Sequence, residues 1–128
     1  MKTTLFIALG LVALVLVAPV SAQPSPVATV QIPFPFVIGN KVLPEGDYRI
    51  VEFDDLRLQV ENVANPGVSE FVPILTRLAA REDNTSTAIV FDKTDRGSAL
   101  SEVWIAGFDG YLIKVTPEKH QHQVVRAR

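Results

Sequence analysis

Between residues 30 and 38 the chain alternates with a period of two. Val30, Ile32, Phe34, Phe36 and Ile38 occupy one set of positions, and Gln31, Pro33 and Pro35 lie between them. That spacing puts the five large apolar side chains on one face of a strand, and no helical face collects them. Pro33 and Pro35 have no amide hydrogen to give to a ladder, which limits pairing along one backbone edge. The same feature discourages edge-to-edge association with other chains. Gly39-Asn40-Lys41 then turns the chain, and Leu43-Pro44-Glu45-Gly46-Asp47 is a second turn signal. Pro44 brings a preset φ and Gly46 tolerates a positive one. Residues 48–53 follow as another strand. Residues 31–53 therefore form a strand–turn–strand unit, the opening of a closed or double-layered sheet.

The rest of the chain continues in short units. Asp54-Asp55 is a turn, after which Leu56, Leu58 and Val60 alternate with Arg57, Gln59 and Glu61, the pattern of a half-buried strand. Asn65-Pro66-Gly67 is a further turn signal. Residues 70–79 carry Phe71, Val72, Ile74, Leu75 and Leu78, with Pro73 limiting pairing. Ile74, Leu75 and Leu78 also lie at helical spacing, but the surrounding strand pattern favours a strand. Asn84-Thr85-Ser86 matches an N-glycosylation sequon, relevant only in a host that reads it. Residues 87–91 are a compact apolar run and residues 100–106 hold the single Trp. The segment Gly107-Phe108-Asp109-Gly110 closes a hairpin onto residues 111–115. Thr116 and Pro117 suit a helix start, while residues 122–125 alternate like a strand, so the C-terminal tail is ambiguous. About seven strands at intervals of roughly 8–12 residues predict an all-β fold, a small antiparallel barrel or sandwich.

The first 22 residues have the anatomy of a secretory signal. Lys2 precedes an apolar run over residues 5–17, Pro19 ends it, and Val20-Ser21-Ala22 suits cleavage before Gln23. The apolar run of roughly 13–16 residues falls short of the ~20 that span hydrocarbon. The expected organisation is a signal peptide over 1–22, a flexible lead-in over 23–29 and a single β domain over 30–128. No membrane span remains after cleavage. The chain has no Cys, so a secreted domain of this length relies on its apolar core, which suits a bacterial periplasmic or extracellular setting. Its formal net charge is −2 with the signs interspersed, which excludes a nucleic-acid surface built on a basic stripe.

No catalytic constellation is legible. The chain lacks a Gly-x-Ser-x-Gly elbow and a Gly-rich phosphate loop. His120 and His122 are the only histidines. Two apart on a strand, they face the same way and can reach one Zn or Cu ion, given a third donor from Glu118, Asp109 or Glu102. The plainer alternative, a solvated polar tail, takes precedence. Asp54-Asp55 and Asp92 with Asp95 are read as surface turn residues. Glu52 and Glu102 interrupt apolar strands. If forced toward the core, either becomes a proton donor with a raised pKa. The competing expectation is an outer position, or pairing with Arg49, Arg57 or Arg96. Glu102, Trp104 and Tyr111 are the candidates for a ligand site, although aromatic residues in a domain this size are mainly core.

One family resemblance is carried by the pattern Ile32-Pro33-Phe34-x-Phe36-x-x-Gly39, then Leu43-Pro44-x-Gly46-x-Tyr48-x-Ile50. Ile89-Val90-Phe91, Leu100-x-Glu102-Val103-Trp104-x-x-Gly107-x-Asp109-Gly110-Tyr111-Leu112 and His120-x-His122-x-Val124-Val125 continue it. The chain resembles small signal-bearing proteins of uncharacterised function that are numerous in acidobacterial genomes. It departs from them after Phe91, where Thr94-Asp95-Arg96-Gly97-Ser98-Ala99-Leu100 replaces an aromatic segment. The resemblance implies bacterial export and a small β fold, and no activity. The expected function is a non-enzymatic binding or structural module of the envelope or extracellular space, with a protein, glycan or apolar small molecule as partner. The alternative is a metal-binding protein using His120 and His122.

Overall fold

A computed structural model describes residues 27–80, 82 and 85–127. The expected signal peptide and the sequon residue Asn84 lie outside the described residues. The described chain is all β. Eleven strands form two sheets: β1 (Val27–Ile32), β2 (Phe36–Ile38), β3 (Lys41–Leu43), β4 (Gly46–Asp54), β5 (Arg57–Asn62), β6 (Ser69–Pro73), β7 (Thr76–Leu78), β8 (Ala88–Thr94), β9 (Gly97–Trp104), β10 (Gly110–Leu112) and β11 (Gln121–Arg126). One sheet is the antiparallel set β1-β4-β5-β6, and the other runs β11-β8-β9-β10-β7, with the β2–β3 hairpin attached through β2 to β9. β8 follows one edge of β9. β2 and β10 share its other edge, β2 parallel against Ser98 and Ala99 and β10 antiparallel against residues 102–104. The arrangement is sandwich-like and contains no closed barrel among the described residues.

Prolines split two of the expected strands, which accounts for part of the difference between eleven strands and the seven or so expected. The alternation from Val30 to Ile38 is not one strand. Its first part, Ala28, Val30 and Ile32, is buried in β1 against β4, and its last part, Phe36 and Ile38, is buried in β2 of the other sheet. Pro33 and Pro35 fill the gap, where a missing donor costs nothing because the ladder has ended. Pro44 lies between β3 in one sheet and β4 in the other. Pro73 ends β6. Immediately afterwards the Ile74 amide donates to Leu56 O beside the first sheet, and the Leu75 amide donates to Leu112 O on the second. Each exchange between the sheets thus carries a proline. The helical alternative for residues 74–80 gives way to β7, and the ambiguous tail resolves as β11, paired with β8 from Gln121↔Lys93 to Arg126↔Ala88. β1 begins at Val27, so the ladder includes three residues of the expected lead-in.

The core lies between the sheets. Ile32, Tyr48, Ile50, Leu58, Val60 and Val72 from the first sheet meet Phe36, Ile89, Phe91, Leu100, Val103 and Tyr111 from the second. Phe36 sits at the centre, edge-on to Tyr48 at 4.9 Å and to Phe91 at 5.5 Å. The Tyr48 hydroxyl donates to Pro44 O at 2.6 Å and closes the turn that Pro44 begins. Gly39 occupies the left-handed region at φ 58 in the β2–β3 turn, a conformation that glycine adopts without a Cβ penalty.

A bulge in the β8–β9 ladder sets which side chains reach the site. Val90 pairs with Glu102, Phe91 pairs with Leu100, and Ser101 is left as the extra residue. The shift changes the phase of β9, so Leu100 and Val103 both enter the core. Glu102 and Trp104 face the opposite side. Ser101 anchors the segment that leaves β10: its carbonyl accepts the amides of Ile113 and Lys114, and its hydroxyl donates to Lys114 O. Residues 113–120 then run as a strap from Ser101 past Asp92, which Thr116 reaches, and deliver the chain to β11.

Candidate metal centre

β8 is apolar on both faces. Ile89 and Phe91 point into the core, and Val90, on the other face, is also buried. The next residue on that face is Asp92, and it is 1% exposed. Its partner on β9 is Ala99 and its partner on β11 is His122. Ala99 offers only a methyl group, and Thr116 of the strap reaches the carboxylate, donating from Oγ1 to Asp92 Oδ2 at 2.8 Å. A buried carboxylate needs such a donor, because desolvation without hydrogen bonding is costly.

The other carboxylate oxygen faces both imidazoles. His122 Nδ1 lies 3.0 Å from Asp92 Oδ1, and His120 Nε2 lies 3.6 Å from the same oxygen. The two rings meet edge-on with centroids 4.9 Å apart, and the three donor atoms lie within 4.8 Å of one another. Donors around a tetrahedral ion at ~2.0–2.1 Å from each are roughly 3.3 Å apart; the 3.0 Å hydrogen bond of His122 and the 3.6 Å separation of His120 lie on either side of that value. His120 is also prepared for coordination. Its Nδ1 is 2.8 Å from Glu118 O; a carbonyl accepts and does not donate, so the proton resides on Nδ1. Nε2, the ring's other nitrogen, faces Asp92, the orientation of metal-ligating histidines held by a backbone carbonyl. Exposure rises outward through the cluster, with side-chain values of 2% for Asp92, 20% for His120 and 63% for His122.

The structure therefore brings His120 and His122 together with a carboxylate, but a different one from those expected. Glu118 contributes its backbone carbonyl. The Asp109 carboxylate accepts the Ala80 amide at 3.2 Å, and Glu102 is on β9. The reading of Asp92 as a surface turn residue is overturned by its burial. Asp54 does have the turn role expected of it: Oδ1 accepts the Leu56 amide, and Oδ2 accepts Arg57 Nη2 at 2.8 Å.

Glu102, Trp104 and Tyr111 do not converge on one face. Glu102 and Trp104 face away from the core on β9, and Trp104 lies against Gly110 of β10. Tyr111 points into the core, where its hydroxyl donates to Glu52 Oε2 at 2.7 Å. Arg77 Nη2 donates to the other oxygen of Glu52 at 2.6 Å and its guanidinium stands 5.2 Å from the Tyr111 ring centroid. Glu52 is thus paired with an arginine other than those expected, and the hydrogen bond from Arg77 holds its carboxyl below the usual carboxylate range. Burial, then the Glu52 carboxylate, push the Tyr111 phenol up to about 12. The shift at Glu52 is therefore downward, opposite to the one a proton donor there would need. These three residues join β4 of one sheet to β7 and β10 of the other.

A groove of about 440 Å³ between the β2–β3 turn and β6 has Ile38, Val72, Leu100 and Ile113 in its lining. Of its charged residues, Lys41 and Glu70 are already paired with each other at 2.6 Å. The convergent polar donors are at Asp92, His120 and His122. Among the described residues no helix is long and apolar enough to cross a membrane. Compared with models of known protein families, with curated proteins and with solved structures, the chain finds no match.

Proposed function

We propose that this is an exported β-domain that holds one divalent transition-metal ion, Zn or Cu, through Asp92 Oδ1, His120 Nε2 and His122 Nδ1. The observation that carries this reading is the convergence of three donor groups: His120 Nε2 and His122 Nδ1 both lie within 3.6 Å of Oδ1 of the buried Asp92, with the His120 ring oriented by Glu118 O. Two imidazoles and one carboxylate suit Zn and Cu. A buried, hydrogen-bonded aspartate supplies the negative charge, and the Thr116 hydroxyl on Oδ2 fixes its orientation. The ion would join the strap to the β8–β11 pair and so secure the edge strand β11. Export to a bacterial periplasm or to the exterior is part of the proposal and is supported by the leader over residues 1–22 and by the resemblance to acidobacterial exported proteins. A general binding or structural role in the envelope is compatible with it.

The test uses the protein beginning at Gln23, stripped with chelator and titrated calorimetrically with Zn(II) and Cu(II). One ion per chain is expected. At a free metal concentration 100 times Kd, binding adds about 2.7 kcal/mol of stability, seen as a higher Tm. His120→Ala with His122→Ala, and Asp92→Asn alone, should abolish stoichiometric binding. Saturation unchanged in these variants, or no saturable binding to the parent, overturns the proposal. N-terminal sequencing after secretion from a bacterial host checks cleavage before Gln23.

A further inference from the structure

The groove between the β2–β3 turn and β6 arises where three strands end. β6 is the last strand of its sheet. β2 follows β9 only along Ser98 and Ala99, and β10 joins the same edge at Glu102, so Leu100 and Ser101 lie between the two. Residues 113 and 114 take that stretch of the edge. The Ile113 and Lys114 amides donate to Ser101 O, and Lys114 O accepts the Ser101 hydroxyl at 3.0 Å. Ile38, Val72, Leu100 and Ile113 thus line about 440 Å³ at the margin of the core, a volume within the range of small-molecule sites.

The charges around this apolar floor are unequal. Lys41, Glu70 and Lys114 are the charged residues of the lining. Lys41 and Glu70 are paired at 2.6 Å and join the β2–β3 hairpin to β6, which leaves neither for a ligand. Lys114 has no carboxylate within ion-pair distance among the described residues. Its backbone is held at the groove wall by Ser101 through both amide and carbonyl, and the residue is exposed. An apolar floor with one uncompensated cation at its rim is complementary to an amphipathic monoanion. The apolar part of such a ligand gains by leaving water. Its charged end stays at the rim, where it keeps hydration and escapes the cost of burying a charge. A dianionic phosphate would exceed the single cation.

We infer that this groove binds a small apolar molecule carrying one carboxylate, with the apolar part along Ile38, Val72, Leu100 and Ile113 and the carboxylate on the Lys114 ammonium. The site stands apart from the metal centre, whose donor residues are not in its lining. Binding involves no covalent step.

Octanoate is the probe. Acetate, which has the head without the chain, and octanol, which has the chain without the charge, are the controls. Each is titrated into isotope-labelled, metal-free protein beginning at Gln23 and followed by amide chemical shifts. Saturable shifts with octanoate are expected at residues 37–41, 70–73, 99–100 and 113–114. Octanol should act on the same residues more weakly, and acetate should not saturate. Lys114→Gln should weaken octanoate about three- to fivefold, the upper range for a solvent-exposed ion pair, and leave octanol unchanged. Added salt should erode the octanoate advantage in the parent. Ile113→Ala should weaken both probes alike. No saturation by octanoate, or shifts centred on other residues, overturns the inference. Octanoate and octanol binding equally, or octanoate affinity unchanged in Lys114→Gln, overturns the place given to the carboxylate.

Discussion

Tyr111→Phe tests the joint between the two sheets with the least disturbance to packing. The ring stays in the core and beside Arg77, and only the hydroxyl that donates to Glu52 Oε2 is lost. Hydrogen bonds to charged groups contribute about 1.5–3 kcal/mol. The Glu52 side chain retains 18% exposure and keeps its bond from Arg77, so water offsets part of the loss and the low end applies. We expect about 1.5 kcal/mol at pH 7, which for a domain near 100 residues lowers Tm by roughly 6–12 °C. The loss should depend on pH in both directions. Arg77 first, and Tyr111 after burial is overcome, lower the Glu52 pKa from its ordinary 4.5. The folded state therefore favours the carboxylate, and its contribution is present above pH 4.5 and lost as pH falls below that value. The Tyr111 phenol has the opposite sign. Burial first, then Glu52, raise it from 10 to about 12, so its contribution is full below pH 10 and disappears as pH rises toward 12. Urea unfolding of both proteins at pH 7, pH 3 and pH 11 is the assay. The gap between parent and variant should be widest at pH 7 and narrow at both extremes. A gap within 0.3 kcal/mol of zero at pH 7, on the order of the error in additivity, or one that is identical at pH 3, refutes the reasoning.

Two further substitutions probe the packing. In Gly110→Ala the new Cβ would stand 2.6 Å from the Trp104 ring, so β10 or the indole must shift, and about 1–3 kcal/mol should be lost in urea unfolding; an unchanged midpoint would show that the indole yields freely. Phe36→Ala empties the centre of the aromatic cluster with Tyr48 and Phe91 and should cost about 3–5 kcal/mol, whereas a cost below 1 kcal/mol would place the ring outside the core.

The strand character of the chain was legible because period-two spacing survives in β1, β4 and β5, each of which buries one face. The sheet exchanges were harder to see. Pro33 and Pro35 were visible as limits on pairing, but an unbroken alternation through Val30, Ile32, Phe34, Phe36 and Ile38 looks the same whether the chain stays in one sheet or crosses between two. Only the partners, β4 for Ile32 and β9 for Phe36, decide it. The bulge at Ser101 was hidden for a related reason: by strict alternation Leu100 shares a face with Glu102 and Trp104, and one extra residue removes it to the core. His120 and His122 were found from their spacing. Asp92 was missed because an aspartate at the end of an apolar run looks like the start of a turn. The signal was present in Ile89, Val90 and Phe91, three consecutive apolar residues, which mean that both faces of the strand are covered and that the next residue lies under cover as well.

The parallel contact between β2 and β9 has a consequence for the order of assembly. β4, β5 and β6 are joined by short hairpins and can pair as soon as they are made, whereas Phe36 and Val37 have to wait for Ser98 and Ala99. Pairings this distant in sequence carry a loop-closure cost before any contact repays it, and chains rich in them fold slowly. A chain emerging from its N-terminus therefore completes the β1-β4-β5-β6 sheet while the β2–β3 hairpin has no strand to lie against. The second sheet, and with it the cluster of Asp92, His120 and His122, forms only when the last third of the chain is free.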